Sequence, residues 1–211
     1  AKTGDKAMIK ELAVLEKLKE ALEKGKPARE AGLTEDEKPV IKELALLTLK
    51  PVLYVANVDD SGNPDKVAAV ENIAKSEGSQ MVVISSKLEA EIAELSDEDA
   101  KSFLAEMGLK ESALNKLIHG GYKLLNLITF FTAGEKESRA WTITSGTKAP
   151  QAAGKIHSDM ERGFIAAEVV HYPDMIACGG YSAARDKGLI HTEGKNYEFQ
   201  DGDIVIIRFN V

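Results

Sequence analysis

The sequence predicts an α/β protein that begins with helices, continues into a parallel sheet and ends in a smaller α+β module. Apolar residues in the first 24 positions recur every three or four residues, the period of an amphipathic helix. Apolar, β-branched runs at 50–58 and 81–86 flank a helical stretch, which indicates two parallel strands joined by a crossover. From Leu127 onward, short strand-like segments alternate with turn glycines and predict the separate module.

The first helix carries a narrow apolar stripe surrounded by charged side chains. A stripe of this width is suited to one partner helix, and we expect that partner to come from outside this sequence. Gly25 and Pro27 are predicted to end the helix, because glycine relaxes the backbone and proline cannot continue it. The stripe consists of Met8, Leu12, Leu15, Leu18 and Leu22.

The segment after this helix is predicted to form a second helix over 35–48. Thr34 and Glu37 have the spacing of a capping box, and Pro39 predicts a kink or a later start. The apolar run at 50–58 then predicts a strand buried on both faces. The remaining predicted elements are helices at 67–77, 96–107 and from about 114 to Gly120-Gly121, strands at 127–134 and 138–146, a helix at 151–162, and strands at 166–172 and 204–211.

Composition and charge exclude several classes of protein. The 211 residues carry a net charge of −7 and one cysteine, Cys178, so an intrachain disulfide is impossible and a basic nucleic-acid domain is excluded. No apolar run is long enough to span a membrane, and the first ten residues lack the apolar stretch of a secretory signal. These features favour a cytoplasmic location.

The most informative short motif is Asn57-Val58-Asp59-Asp60, at the end of the first predicted parallel strand. Ligands of open α/β sheets bind beyond the carboxyl ends of strands, and an asparagine amide can pair with N6 and N7 of a purine. Ser85, Ser86 and Lys87 end the next strand, where backbone N–H groups can flank the same base. The alternative is an ordinary turn formed by Asx side chains.

The parts needed for phosphoryl transfer are absent from this sequence. A phosphate loop of the form G-x-x-x-x-G-K-[ST] does not occur, and the Gly-Lys pairs at 25–26, 154–155 and 194–195 lack its other residues. Asp59-x-x-Gly62 is interpreted as a turn. The four histidines and Cys178 are scattered without metal-ligand spacing, so no metal site is predicted.

Long stretches of the sequence resemble the C-terminal part of the YchF-type Obg-like ATPases, a branch of the translation-factor-related P-loop GTPases. They are LLTLKPVLYVANVDD, EAEIAEL, GYKLLNLITFFTAGEKESRAWTI, GTKAPQAAGKIHSDMERGFIAAEV and DGDIVIIRFNV. The resemblance implies three parts: the second half of a helical coiled-coil arm at 1–44, the C-terminal part of a P-loop nucleotide domain at 45–127, and a β-grasp TGS domain at 128–211.

The same resemblance implies the activity and partners of the intact protein. Family members hydrolyse ATP or GTP with Mg²⁺ and act with ribosomes or RNA, and a protein partner is expected at the helical arm. Without a phosphate loop, this chain alone is expected to be inactive and to bind nucleotide weakly. The alternative function is a stand-alone TGS module that binds RNA or protein without catalysis.

The base preference stays open, because this sequence departs from the family motif. The resemblance implies that Asn57, Val58, Asp60, Ser85, Ser86 and Lys87 hold the base. The family usually has Asn-x-x-Glu, associated with ATP, whereas Asp60 replaces that glutamate here as in relatives that bind GTP.

A cluster of basic residues in the last module is a candidate RNA-binding stripe. Lys155 and Arg162 would share a face of the predicted 151–162 helix, and Trp141, His157 and Phe164 would add stacking if exposed. The alternative is a solvated helix face with Trp141 and Phe164 in the core. The stripe consists of Arg139, Lys148, Lys155 and Arg162.

Overall fold

The computed structural model describes residues 6–59, 62–134 and 137–210. The chain divides into two compact units, an N-terminal unit of residues 1–116 and a C-terminal unit of residues 117–211. The predicted α/β class is confirmed, since a parallel strand pair lies in the first unit and a mixed five-stranded sheet in the second.

The N-terminal unit combines a long helix, short 3₁₀ segments, a two-stranded sheet and further helices. Its elements are α1 Lys6–Glu23, 3₁₀ segments Ala28–Glu30, Lys38–Leu44 and Leu47–Leu49, β1 Leu53–Asn57, α2 Pro64–Ser76, β2 Gln80–Ile84, α3 Ser86–Ala93 and α4 Asp97–Glu106. A further helix, α5 Ala113–Leu124, begins in this unit and ends in the next.

The first helix is confirmed, and it packs on the 3₁₀ segments that follow it. Val14 and Leu18 are buried against Ala28 and Ile41. The rest of the predicted stripe stays exposed, with Met8, Leu12, Leu15 and Leu22 on the surface.

The second predicted helix, at 35–48, is wrong. Half of the predicted capping box does form, because the Glu37 carboxylate accepts the Thr34 backbone N–H at 3.0 Å. The segment then continues as the 3₁₀ helix Lys38–Leu44, which ends at Ala45 in a left-handed conformation. Pro39 explains the difference, since it has no N–H for an i−4 carbonyl and its ring obstructs the preceding α-helical turn.

The predicted parallel crossover is confirmed, but burial on both faces is wrong. β1 and β2 pair in parallel from Leu53↔Gln80 to Asn57↔Ile84, and α2 connects them. Val55 is 42% exposed and Val83 is 40% exposed. Within the described residues this sheet has only two strands, so there is too little structure around it to cover both faces.

Side-chain caps fix the first residues of α4 and α5. The Ser96 hydroxyl accepts the Asp99 N–H at 3.2 Å, as the predicted cap requires. The Glu89 carboxylate accepts the N–H groups of Ala113 and Leu114 at 2.7 and 3.2 Å and so caps α5 from α3. The predicted end of α5 at Gly120-Gly121 is wrong, because the helix continues to Leu124. A glycine destabilises a helix by only about 1 kcal/mol relative to alanine, and the neighbouring helical turns offset this loss of stability.

The C-terminal unit is built on a mixed sheet with the order β4-β3-β7-β5-β6. β7 lies at its centre, parallel to β3 and antiparallel to β5. The elements are β3 Leu127–Ala133, β4 Ser138–Thr144, α6 Ala149–Ile156, α7 Ser158–Arg162, β5 Phe164–His171, α8 Tyr172–Cys178, α9 Tyr181–Asp186, β6 His191–Glu193 and β7 Asp203–Phe209.

Helices give this sheet a core on each face. On one face Phe130, Ile143 and Val205 pack with alanines of α6. On the other, Val170 and Ile204 pack with Ala184 of α9. The central strand therefore contributes to both cores, with Val205 on one side and Ile204 on the other.

The single helix predicted at 151–162 is wrong, because the chain forms α6 and α7 with an extended residue between them. His157 has φ −159° and ψ 143°, and its Nδ1 accepts the Asp159 N–H at 3.2 Å to cap α7. A Cβ atom at Gly154 would lie 2.3 Å from a carboxylate oxygen of Glu161, so the two short helices approach closely at this glycine.

Candidate nucleotide and RNA sites

A cleft of about 600 Å³ lies at the carboxyl end of β1 in the N-terminal unit. The strand end, the first two turns of α2 and the start of α3 contribute to it. Its polar lining fits the predicted position of a base, and its apolar lining offers surface on which a ring can pack. The lining residues are Val55, Ala56, Asn57, Val58, Asp59, Asn63, Lys66, Val67, Val70 and Lys87.

Asn57 joins the ends of the two parallel strands. Its Oδ1 accepts the backbone N–H of Ser86 at 3.0 Å. The Val58 N–H donates to the Ile84 carbonyl at 2.8 Å and continues the strand pairing by one residue. The side-chain carbonyl of Asn57 is thereby fixed, and its Nδ2 amino group remains as a hydrogen-bond donor for a ligand.

The other predicted base-site residues have differing roles. Ser85 caps α3, since its hydroxyl accepts the Leu88 N–H at 3.3 Å. Asp59 accepts the Asn63 side-chain N–H at 3.2 Å, which is the predicted turn chemistry. Lys87 lines the cleft and also interacts with other groups of the protein. Asp60 lies outside the described residues.

Metal-ligating side chains do not cluster in the part of the chain that the structure describes. No group of three or more His, Cys, Asp or Glu side chains there lies close enough to hold a metal ion.

The predicted RNA-binding stripe is not organised as the sequence suggested. Lys148 precedes the first turn of α6 and Lys155 lies in its last turn, whereas Arg162 lies on α7 and pairs with Asp159. The shared helix face expected of Lys155 and Arg162 is wrong, because the helix breaks at His157. All four side chains, including Arg139, are nevertheless exposed.

The aromatic residues near this stripe divide into core and surface. Phe164 is buried in the larger core, and Trp141 packs against that core while half-buried. The Arg139 guanidinium lies 4.3 Å from the centre of the Trp141 ring, and the Trp141 Nε1–H donates to Thr132 at 3.0 Å. Of the three proposed stacking residues, only His157 is fully on the surface.

Two buried carboxylates of the C-terminal unit were missed by the sequence analysis. Asp203 is fully buried and accepts hydrogen bonds from His171, Tyr197 and the Gln200 N–H. Glu168 is also buried, and its carboxylate accepts hydrogen bonds from Tyr181, Arg185 and Arg208. The available signal was an acidic residue in an apolar strand segment: Glu168 lies within AAEVVHY, and Asp203 is the first residue of DIVIIRF.

The two networks shift the pKa values of their members. The Tyr181 hydrogen bond and the two arginines lower the pKa of Glu168 despite the opposing effect of burial. Burial, together with the bond to Glu168, raises the pKa of Tyr181. Burial and the bond to Asp203 raise the pKa of Tyr197 well above its ordinary value. Both tyrosines therefore stay protonated and act as donors at neutral pH.

None of the described helices combines the length and apolar character needed to cross a membrane.

Comparison with known protein families places this chain next to one group of proteins. Residues 127–210 match the family model YchF-GTPase_C, described as a protein of unknown function. The chain is 50% identical over 217 residues to the ribosome-binding ATPase YchF of Bacillus subtilis. It is 49% identical over 213 residues to the protein of that name from Escherichia coli O157:H7. Both alignments cover 100% of this chain and 59% of the relative.

Two solved structures resemble the chain. The YchF GTPase of Schizosaccharomyces pombe matches with a TM-score of 0.83 and 36% identity, over 96% of this chain and 55% of that protein. A GTP-binding protein from Pyrococcus horikoshii matches with a TM-score of 0.57 and 17% identity, over 92% of this chain and 56% of that protein. The second likeness shows the fold alone.

Proposed function

This chain belongs to the YchF family and corresponds to its C-terminal part, and on that premise we propose that it supplies the base-reading edge and the RNA-binding module of a cytoplasmic, ribosome-associated ATPase or GTPase. The curated relatives are named ribosome-binding ATPases, and the chain spans 59% of their length. The N-terminal unit would hold the base, and the C-terminal unit, the proposed TGS domain, would contact the ribosome. The role in translation-related regulation is part of this proposal.

One observation carries the nucleotide proposal: the hydrogen bond between Asn57 Oδ1 and the Ser86 N–H at 3.0 Å. It fixes the amide plane of Asn57 at the mouth of the cleft, so that Nδ2 can donate to a purine ring. Mg²⁺ and the phosphates would be held by parts of the intact protein that this chain lacks. We propose that Asp60 sets the preference for adenine or guanine, so that Asp60→Glu shifts the preference of the intact protein toward ATP.

Nuclear magnetic resonance can test this site on the chain itself. We expect adenosine or guanosine at millimolar concentration to shift the Val58 and Ser86 amide signals, because a base alone makes few contacts. Asn57→Ala should abolish these shifts, whereas Asn115→Ala, an exposed asparagine on α5, should leave them unchanged. Unmoved signals around the cleft in the unsubstituted chain would contradict the proposal.

Calorimetry gives the complementary measurement with triphosphates. We expect ATP and GTP to bind this chain more weakly than micromolar and to remain unhydrolysed, since phosphate contacts dominate nucleotide affinity. A micromolar dissociation constant for ATP or GTP would contradict our proposal that the phosphates are bound by other parts of the intact protein.

The alternative function, a module that binds RNA or protein without catalysis, is supported by the self-contained core of the C-terminal unit. It is tested by sedimentation of the chain with ribosomes at increasing salt. RNA contacts should give a log–log salt slope of roughly −0.7 to −0.9 per neutralised phosphate. Co-sedimentation that is insensitive to salt would favour a ribosomal protein as the partner.

For the arm we propose a protein partner on the exposed face of α1. Met8, Leu12 and Leu15 lie on the surface of that helix, and an apolar stripe in water favours a contact with a second helix. Leu12→Glu, which leaves the buried Val14 and Leu18 untouched, should abolish such a contact without unfolding the chain.

A further inference from the structure

We propose that Arg185 and Arg208 form a phosphate-binding pair for RNA on the C-terminal unit, held in place by the buried carboxylate of Glu168. This inference rests on the proposed RNA and ribosome contact and names where that contact is made. It differs from the basic stripe suggested by the sequence, because it lies on other elements and uses other residues.

Glu168 is the fixed point of the site. It lies on β5 with its side chain only 9% exposed, and its two oxygens are shared among three donors. Tyr181 Oη donates to Oε2 at 2.5 Å, Arg185 Nη2 donates to the same oxygen at 3.2 Å, and Arg208 donates to Oε1. The donors come from α9 and from the central strand β7, so the surrounding fold sets the position of both guanidinium groups.

The charge at this point is not balanced. Two guanidinium groups share one carboxylate, which leaves a surplus of one positive charge. The Arg185 side chain is 62% exposed and that of Arg208 is 58% exposed. Each guanidinium has five N–H donors, and one nitrogen of each donates to Glu168, while the Arg185 guanidinium also lies 5.3 Å from the centre of the Tyr181 ring. Donors therefore remain on the solvent side, where an anion can reach them.

The predicted stripe lacks this arrangement. Arg162 forms a one-to-one ion pair with Asp159, so that pair carries no surplus charge. Arg139 lies over the Trp141 ring, as Arg185 lies over that of Tyr181, but only Arg185 of these two is also held by the Glu168 carboxylate. Lys148 and Lys155 are exposed, but they are flexible point charges at opposite ends of α6.

The geometry favours phosphate as the ligand. Guanidinium groups bind phosphate oxygens through two parallel N–H bonds, and groups already held in place lose less conformational entropy on binding. The protein carries a net charge of −7, so long-range attraction to RNA is absent and binding depends on close, oriented contacts. A pair of arginines anchored by one carboxylate meets that requirement.

Fluorescence anisotropy with a labelled RNA hairpin tests the proposal on the full chain. Arg185→Gln and Arg208→Gln are made separately, so that Glu168 keeps Tyr181 and one arginine in each variant. Each should weaken binding by roughly tenfold, the value of one charged hydrogen-bonding contact, and should reduce the salt slope by roughly 0.7 to 0.9. Lys187→Gln removes the same charge from an exposed residue just after α9 and should change affinity less than twofold.

Arg208→Lys separates the role of charge from that of geometry. It should keep the salt slope but lose part of the affinity, because lysine retains the charge without the planar fork. Fluorescence of Trp141 on urea unfolding verifies that each variant is folded, since it is the single tryptophan of the chain.

The outcomes distinguish this inference from the proposed function. If the unsubstituted chain binds the hairpin and both arginine variants bind equally well, the phosphate site is overturned while RNA binding stands. If the chain binds neither the hairpin nor ribosomes, both are overturned. Preferential binding of a labelled poly-glutamate peptide, lost in the same variants, would overturn RNA as the ligand and assign the pair to an acidic protein.

Discussion

Both units of this chain contain strands rich in apolar, β-branched residues, but the two units bury these residues to different extents. In the N-terminal unit, Val55 of β1 and Val83 of β2 are each about two-fifths exposed. In the C-terminal unit Val169 and Val205 are almost completely buried. The residue types are the same, so strand composition alone does not decide burial.

The number of layers packed against a sheet decides how far its strands are buried. The five-stranded sheet has helices and apolar side chains on both faces, and its central strand contributes to two cores. The described part of the N-terminal unit has a two-stranded sheet, and its main buried cluster instead lies between α1 and the 3₁₀ segments. The comparison predicts that core substitutions will have large effects in the second unit and small effects on the strands of the first.

The largest effect is expected from Phe130→Ala. Phe130 is fully buried and packs against Phe199 with ring centres 5.0 Å apart, so its removal should lower the free energy of unfolding of the C-terminal unit by about 4 kcal/mol. Urea unfolding followed by Trp141 fluorescence measures this loss in the C-terminal unit, and hydrogen exchange of the β1 amides measures the effect of a change in the N-terminal unit. Leu47→Ala, at a position 78% exposed in the N-terminal unit, should change stability by less than about 0.5 kcal/mol. Equal losses would break the comparison.

A matched pair of valines gives the next effect. Val205→Thr places a hydroxyl in a core position that is 1% exposed and should cost about 2 kcal/mol, whereas Val55→Thr should cost less than about 0.5 kcal/mol. Hydrogen exchange of the β7 and β1 amides reports each unit separately. A large loss at Val55 would mean that this strand face is covered in solution.

The smallest effect concerns pH. Because the folded state lowers the pKa of Glu168, its carboxylate stabilises the C-terminal unit above the unfolded-state pKa, about 4.3 for glutamate, and this contribution is lost as the pH falls below that value. Glu168→Gln should therefore flatten the fall in stability below about pH 4.3. In the N-terminal unit the Arg29 bond likewise lowers the pKa of Glu77, and Glu77→Gln should leave the Trp141-detected curve unchanged. An unaltered acid profile for Glu168→Gln would contradict the assignment.

Local patterns predicted the elements whose signals lie within a few residues. Periodicity placed α1, and the helical stretch between two apolar runs placed β1 and β2 in parallel. The errors arose where one residue opposed a longer pattern, as Pro39 did in the predicted second helix and His157 did between α6 and α7. Spacing did not predict two contacts that depend on strand register. These are the Asn57–Ser86 hydrogen bond, between residues 29 apart in sequence, and the Glu168–Arg208 pair, between residues 40 apart.

The central position of β7 has a consequence for the order of events during folding. Among the described residues, β7 is the last strand in chain order, it lies between β3 and β5 in the sheet, and its pairing with β3 connects Phe131 to Ile204. Closing such a long loop is slow compared with forming the β3–β4 hairpin. During synthesis, β3 and β5 therefore each keep one unpaired edge until β7 has emerged from the ribosome, and this interval is when the unit is most exposed to aggregation.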